Sequence, residues 1–101
     1  MLISMIHVEV KKNKQDEFLN TLAILGKRFN EARGCVSYRL CRDIENEYLF
    51  QLIGEWRTRE DYDMHVNSPE FEVLQGAIQV LGLPPRVRVL KIKEDVKDTM
   101  K

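Results

Sequence analysis

Residues 54–71, GEWRTREDYDMHVNSPEF, combine the end of a strand, the start of a helix and a helix break. Trp56 closes a run of strand-forming residues. Thr58 and Asp61 have the spacing of a capping box, which predicts that a helix begins directly after Trp56. Ser68-Pro69 interrupts this helix, because the residue before a proline is disfavoured in the α region, and Ser68 can cap a segment that Pro69 opens.

The chain on both sides of this stretch alternates strand and helix patterns. The predicted strands are residues 2–10, 35–42, 47–56 and 86–93. Asn13 is the predicted N-cap of the first helix, which ends near Arg33-Gly34 because glycine enters the left-handed region without a Cβ penalty. The apolar stripes of the helices are Phe18, Leu22, Leu25, Phe29 and Ala32 in the first and Phe71, Leu74, Ile78 and Leu81 in the last.

The element order βαββαβ predicts an α+β fold of the ferredoxin-like kind, in which two helices cover one face of a four-stranded antiparallel sheet. On the third strand a regular pleat would put Tyr48, Phe50, Leu52 and Trp56 on one side and Leu49 and Ile53 on the other. Both faces of the sheet are therefore expected to be apolar, and the helices can bury only one. We expect a homodimer in which the uncovered sheet faces pack together.

Length and composition indicate one domain, residues 1–95, followed by a charged tail at residues 96–101. Sixteen Lys and Arg balance sixteen Asp and Glu, so the surplus of cations that favours nucleic acid or an anionic membrane is absent. The sequence contains no pattern typical of a signal peptide or a membrane span. No nucleic-acid or membrane partner is expected.

The cysteines, Cys35 and Cys41, lie on one predicted strand, about 20 Å apart at roughly 3.3 Å per residue. They cannot form a disulfide with each other there, and two free thiols predict a cytoplasmic protein. With two cysteines and two histidines in the chain, no metal site is expected.

The Glu-Trp pair at a strand end, the capped helix that carries His65 and the Ser-Pro break follow one another in residues 54–71. Together with Gly34-Cys35 before the second strand and Tyr38 within it, they resemble the antibiotic biosynthesis monooxygenase family, also called the quinol-monooxygenase-like group. The resemblance covers nearly the whole chain.

This resemblance implies a dimeric α+β barrel with a ligand cavity in each subunit. Family members oxidise quinols or electron-rich aromatic compounds with molecular oxygen and without a cofactor, and a branch binds and degrades haem. Trp56, Tyr62 and His65 correspond to positions at the cavity. Several members also use an Asn on the first strand or a few residues before the tryptophan. Here the first of these regions holds Met5, Ile6 and His7, and Leu52 stands four residues before Trp56, so this Asn is missing.

The residue types at these positions suit oxygen chemistry. Deprotonating a phenol makes it a better electron donor toward triplet oxygen, and His65 has a suitable intrinsic pKa to take that proton. Trp56 Nε1 and the Tyr62 hydroxyl could donate hydrogen bonds to the anion. The predicted function is a cofactor-independent monooxygenase of a small quinol, phenol or aromatic compound. The missing Asn leaves two alternatives open: a non-catalytic dimer that binds a small ligand, and haem binding with His65 as axial ligand.

Overall fold

The structure, a computed structural model, describes residues 1–98. Residues 99–101 of the predicted tail lie outside the described part of the chain. The elements in chain order are β1 (Leu2–Glu9), α1 (Gln15–Asn30), β2 (Cys35–Arg42), β3 (Leu49–Trp56), α2 (Arg59–Val66), α3 (Pro69–Leu81) and β4 (Arg86–Lys91). The predicted order is confirmed, with the second helical layer divided into α2 and α3.

The four strands form one antiparallel sheet in the order β2-β3-β1-β4. The helices pack on one face of it, so the ferredoxin-like α+β fold is confirmed. Side chains alternate between the covered and the open face, which brings Leu2, Ile6 and Val8 of β1 toward the helices. These residues are buried in the single hydrophobic core.

The predicted helix stripes supply the other half of this core. Phe18, Leu22, Leu25 and Phe29 of α1 are buried, as are Leu74, Ile78 and Leu81 of α3. Ala32 and Phe71 are partly buried against the same cluster. Steps of three and four residues along a helix gather these side chains on one face.

The predicted start of α1 is wrong. Asn13 has a φ of 67°, and Lys14 occupies the N-cap position without a side-chain hydrogen bond to the helix. Residues 11–14 form a turn in which the Lys14 N–H donates to the Lys11 carbonyl at 3.0 Å. Asn is one of the few residue types that tolerates the left-handed conformation, and here it serves that turn.

Four other predicted boundaries also differ. The first strand ends at Glu9, one residue before its predicted end. The first helix ends at Asn30, and a turn leads to Gly34, whose φ of 75° is the predicted left-handed conformation. The third strand begins at Leu49 because Asn46 and the preceding residues form a side-chain-bonded turn, and the last strand ends at Lys91.

Both predicted helix caps around α2 and α3 are present. Thr58 Oγ1 accepts the Asp61 N–H at 3.1 Å and donates to Asp61 Oδ2 at 2.9 Å. Ser68 Oγ accepts the Phe71 N–H at 3.1 Å. A Cβ on Gly34 would collide with the Asp61 side chain, so glycine is required where the end of the α1 turn approaches α2.

The open face of the sheet is mixed in character. Cross-strand pairs share a face, so Met5 of β1 lies there with Ile53 of β3, and Ile3 lies there with Leu90 of β4. Charged side chains such as Arg88 are interspersed among them. Within residues 1–98, the helices all fall short of the length and apolar character that crossing a bilayer requires.

Candidate functional site

Trp56 lies at the end of β3 and is fully buried between the sheet and the helices. Its indole N–H donates a hydrogen bond to Ser4 Oγ on the adjacent strand β1 at 3.1 Å. Gly54 makes room for this arrangement, since a Cβ at residue 54 would lie 2.7 Å from Trp56 Nε1 and 2.8 Å from Ser4 Oγ. The indole is therefore fixed in the core and its single donor is engaged.

His65 lies in the last turn of α2 and stacks on this indole, with ring centroids 4.3 Å apart and an interplanar angle of 28°. Phe29 of α1 contacts the imidazole from the side, with centroids 4.7 Å apart, and Phe71 of α3 does so at 5.0 Å. We call this group the aromatic cluster; its members are Phe29, Tyr38, Trp56, Tyr62, His65 and Phe71.

Tyr62 and His65 are three residues apart on α2, which puts them on neighbouring parts of one helix face. The Tyr62 ring lies 6.2 Å from the Trp56 ring and 6.5 Å from the His65 ring. Burial raises the pKa of the half-buried Tyr62 hydroxyl above its usual value, so this phenol is a proton-bearing hydrogen-bond donor at neutral pH.

The imidazole of His65 is uncharged in the folded chain. Burial lowers its pKa to about 4, and the nearby carboxylate of Glu70 opposes this effect only in part. Within residues 1–98 its ring nitrogens form no hydrogen bond, and every side-chain nitrogen or oxygen there that is sealed from solvent has a partner. The unbonded nitrogens of His65 must therefore reach solvent, although the residue is only 5% exposed.

His65 lines a small hollow between the end of α1, α2 and the start of α3, which we call the His65 cleft. It encloses about 230 Å³. Its lining residues are Arg28, Phe29, Ala32, Arg33, Asp61, Met64, His65, Ser68 and Glu70. Trp56 and Tyr62 do not line the cleft. The three predicted site residues therefore lie together in the aromatic cluster, and of the three only His65 lines the hollow.

A second hollow lies on the other side of Phe71, between α3 and the edge of the sheet. This α3 groove encloses about 480 Å³, and its lining is mainly apolar. The side chains at its wall include Ile6, Phe71, Leu74, Ile78 and Val87. A further hollow of about 710 Å³, at the end of the open sheet face, includes none of the aromatic cluster.

Residues 1–77 match the model of the antibiotic biosynthesis monooxygenase family. The chain belongs to this family. The resemblance predicted from residues 54–71 is thus confirmed, and the chain is a member of a family named for monooxygenase activity.

Relatives of this family member are distant in sequence and close in fold. The uncharacterized protein sll1783 of Synechocystis is 27% identical over 89 residues, a match that covers 87% of this chain and 60% of the relative. A Deinococcus radiodurans structure, provisionally assigned as an antibiotic biosynthesis monooxygenase, has a TM-score of 0.92 at 15% identity and covers 99% of this chain and 100% of its own.

A third comparison concerns a relative whose activity is part of its name. SnoaB of Streptomyces nogalater, a cofactor-independent oxygenase solved as an Asn-to-Ala variant, has a TM-score of 0.83 at 15% identity, covering 96% of this chain and 97% of its own. At this identity the likeness shows the fold.

The site of this family member includes residues that the sequence did not point to. Ser4 accepts the Trp56 hydrogen bond, and the sequence could have indicated it. A polar residue at an inward position of β1, between Leu2 and Ile6, needs a buried hydrogen-bond partner. Arg28 and Glu70 reach the His65 cleft from α1 and α3, and no local pattern marks either residue. Among residues 1–98, no three His, Cys, Asp or Glu side chains converge as metal ligands would.

Proposed function

We propose that this chain is a monooxygenase that oxidises a single-ring phenol or quinol with molecular oxygen and without a metal or organic cofactor. One observation carries the proposal: the buried, uncharged imidazole of His65, whose nitrogens form no hydrogen bond within residues 1–98, lines a cleft of about 230 Å³. Ligand pockets for drug-sized molecules enclose about 300–1,000 Å³. The smaller cleft suits a single aromatic ring. It therefore favours a phenol over haem, which is a much larger macrocycle.

The chemistry that this arrangement supports begins with proton removal. The neutral imidazole accepts the phenol proton as the ring gives up electrons to oxygen, because losing the proton makes the ring a better electron donor. Burial lowers the pKa of His65 to about 4, so this proton transfer is uphill on its own and is coupled to the electron transfer. The carboxylate of Glu70 lines the same cleft and stabilises the transient imidazolium. Because burial disfavours the charged imidazole, the proton returns readily to the reduced oxygen as the reaction proceeds.

The stoichiometry needs no external reductant. The ring carbon forms a bond to one oxygen atom of O2, the O–O bond breaks, and the second oxygen atom leaves as water. A phenolic C–OH and a ring C–H become two carbonyls of a quinone. The substrate thereby supplies all four electrons that reduce O2.

Within this proposal Trp56 and Tyr62 have different roles. The indole N–H is engaged with Ser4, so Trp56 acts as the aromatic wall against which the His65 ring is held by stacking. Tyr62 does not line the cleft, and its hydroxyl, which stays protonated at neutral pH, is a hydrogen-bond donor beside the His65 ring. The name of SnoaB, a cofactor-independent oxygenase of the same fold, supports chemistry without a cofactor.

The proposal predicts oxygen uptake by chelator-treated protein in the presence of simple phenols and quinols. With ¹⁸O2, one labelled atom should enter each product molecule, measured by mass spectrometry after immediate reduction of the quinone to prevent exchange with water. Product that carries no label, or uptake that disappears with the chelator, would contradict cofactor-independent oxygen insertion.

The α3 groove supports a second candidate, a protein that binds a small apolar ligand without changing it. Its 480 Å³ are walled largely by aliphatic and aromatic side chains, a composition suited to burial of apolar surface. Measuring oxygen uptake and the melting temperature with the same compound separates the two candidates. A compound that raises the melting temperature and leaves dissolved oxygen unchanged supports binding alone.

We also propose that two copies of the chain pair through the open faces of their sheets. Ile3, Met5 and Ile53 lie on this face and are only partly shielded, and Leu49 and Leu90 are each 37% exposed. Pairing removes this apolar surface from water. Sedimentation velocity at micromolar concentration should give twice the 11.9 kDa chain mass, and a stable monomer would exclude the pairing.

A further inference from the structure

Two arginines stand at the rim of the His65 cleft, at the end of α1 and just after it. The Arg28 side chain is 64% exposed and its guanidinium lies 3.9 Å from the Glu70 carboxylate. The Arg33 side chain is 69% exposed, with its Nε 3.5 Å from Asp61 Oδ1 and its Nη1 3.9 Å from the Met64 sulfur. A guanidinium has five N–H donors, and these long contacts leave most of them free for another acceptor.

The carboxylates of the cleft are committed to other tasks. The Asp61 side chain is 10% exposed, and it accepts the Thr58 hydroxyl and packs where Gly34 leaves space. The Glu70 carboxylate lies near the His65 imidazole, where it opposes the effect of burial. The two guanidiniums carry more N–H donors than these two carboxylates engage, so a carboxylate ligand can bind the remaining donors and competes with Glu70 for Arg28.

The floor of the cleft provides an independent sign of a ligand. His65 is 5% exposed and lines this hollow, and its ring nitrogens form no hydrogen bond within residues 1–98. Because these nitrogens are unbonded, they are available to hydrogen-bond a ligand in the hollow. The apolar contribution of Phe29, Ala32 and Met64 beside it suits the face of an aromatic ring.

We propose that the His65 cleft selects phenols that carry a carboxylate, with the ring inside the cleft, the hydroxyl at His65 and the carboxylate held by Arg28 and Arg33. This inference rests on the proposed function, because it names the substrate class for the same site. A volume of about 230 Å³ accommodates one ring and leaves a substituent at the rim. Guanidinium groups recognise carboxylates through paired, charge-assisted hydrogen bonds.

The test compares three ligands of the same shape: 3-hydroxybenzoate, 3-hydroxybenzyl alcohol and 3-hydroxybenzylamine. Binding is followed through the fluorescence of Trp56, the single tryptophan of the chain, which stacks on His65. Wild-type protein should bind the acid most tightly. The double variant Arg28→Gln/Arg33→Gln should weaken acid binding by about tenfold, the scale of lost charge-assisted hydrogen bonds, and change alcohol binding by less than about twofold.

A matched control removes two positive charges outside the cleft. The variant Lys12→Gln/Lys27→Gln has the same net charge as the double arginine variant, and neither lysine lines the cleft. It should bind 3-hydroxybenzoate within about twofold of the wild type. An equal loss of acid binding in both double variants would mean that overall charge, and not the rim, attracts the acid.

The possible outcomes separate this inference from the proposed function. Equal affinity for acid and alcohol, or tighter binding of the amine, overturns carboxylate selection. If the alcohol is then oxidised as fast as the acid, the monooxygenase proposal stands and carboxylate selection is rejected. Acid binding that depends on both arginines but consumes no oxygen supports the carboxylate site and contradicts the oxidation. Failure of all three ligands to bind overturns both.

Discussion

Replacing His65 by Ala or Gln should lower kcat/KM for phenol oxidation by at least about 100-fold, because a positioned general base contributes about 10²–10⁴ to the rate. Gln is the sharper substitution. Its amide retains a hydrogen-bonding group in the cleft and cannot accept a proton at neutral pH, so the loss reports base function rather than an empty space.

The control for this experiment is the other histidine of the chain. His7 lies on β1 and pairs with Gln51 and Arg86 across the sheet, away from the aromatic cluster. His7→Gln should leave turnover within about twofold, and the His65 variants should keep a cooperative unfolding transition. Oxygen uptake at the wild-type rate by folded His65→Gln would remove the proposed base.

The features predicted best from the sequence are those fixed by interactions between residues close together in the chain. Thr58 and Ser68 cap their helices because each cap joins residues three positions apart, and such hydrogen bonds need no tertiary partner. Trp56 and His65 were identified through the family resemblance, and a short-range arrangement brings them together. They are nine positions apart, and the capped helix that follows directly on the strand brings them into stacking contact.

The failures come from long-range effects. Asn is a common N-cap residue, but Asn13 lies in a turn that follows the hydrogen bond from the Lys11 N–H to the Leu81 carbonyl. In this turn Asn13 takes the left-handed conformation and does not cap the helix. The engaged state of the Trp56 N–H depends on Ser4, 52 residues away. The rim of the cleft joins α1 to α3, so the positions of Arg28 and Glu70 follow from helix packing that no local pattern encodes.

The second large effect concerns the pH dependence of stability. Burial lowers the pKa of His65 from its ordinary value of 6.5 to about 4 in the folded chain. Above pH 6.5 both the folded and the unfolded chain hold a neutral imidazole, so His65 adds nothing to the pH dependence. Below pH 6.5 the unfolded chain binds a proton and the folded chain does not, and the free energy of unfolding falls until about pH 4.

The difference between the two pKa values corresponds to a loss of about 3 kcal/mol over this range. The variant His65→Gln has no titrating group at this position and should lack this part of the acid sensitivity. Carboxylates titrate in the same range, so the quantity to compare is the difference between wild type and variant in urea unfolding at pH 7 and pH 4.5. Parallel pH profiles would mean that the folded chain protonates His65 as readily as the unfolded chain does.

The central claim is that His65 is an uncharged base in contact with the substrate, and ¹⁵N NMR of the two imidazoles tests it most directly. The His65 resonances should keep the shifts of a neutral ring from pH 8 to pH 5, with a midpoint near pH 4. Adding 3-hydroxybenzyl alcohol at pH 7 should move the His65 resonances and leave those of His7 in place. A His65 ring that titrates near pH 6.5, or that does not respond to a phenol the protein oxidises, would contradict the account.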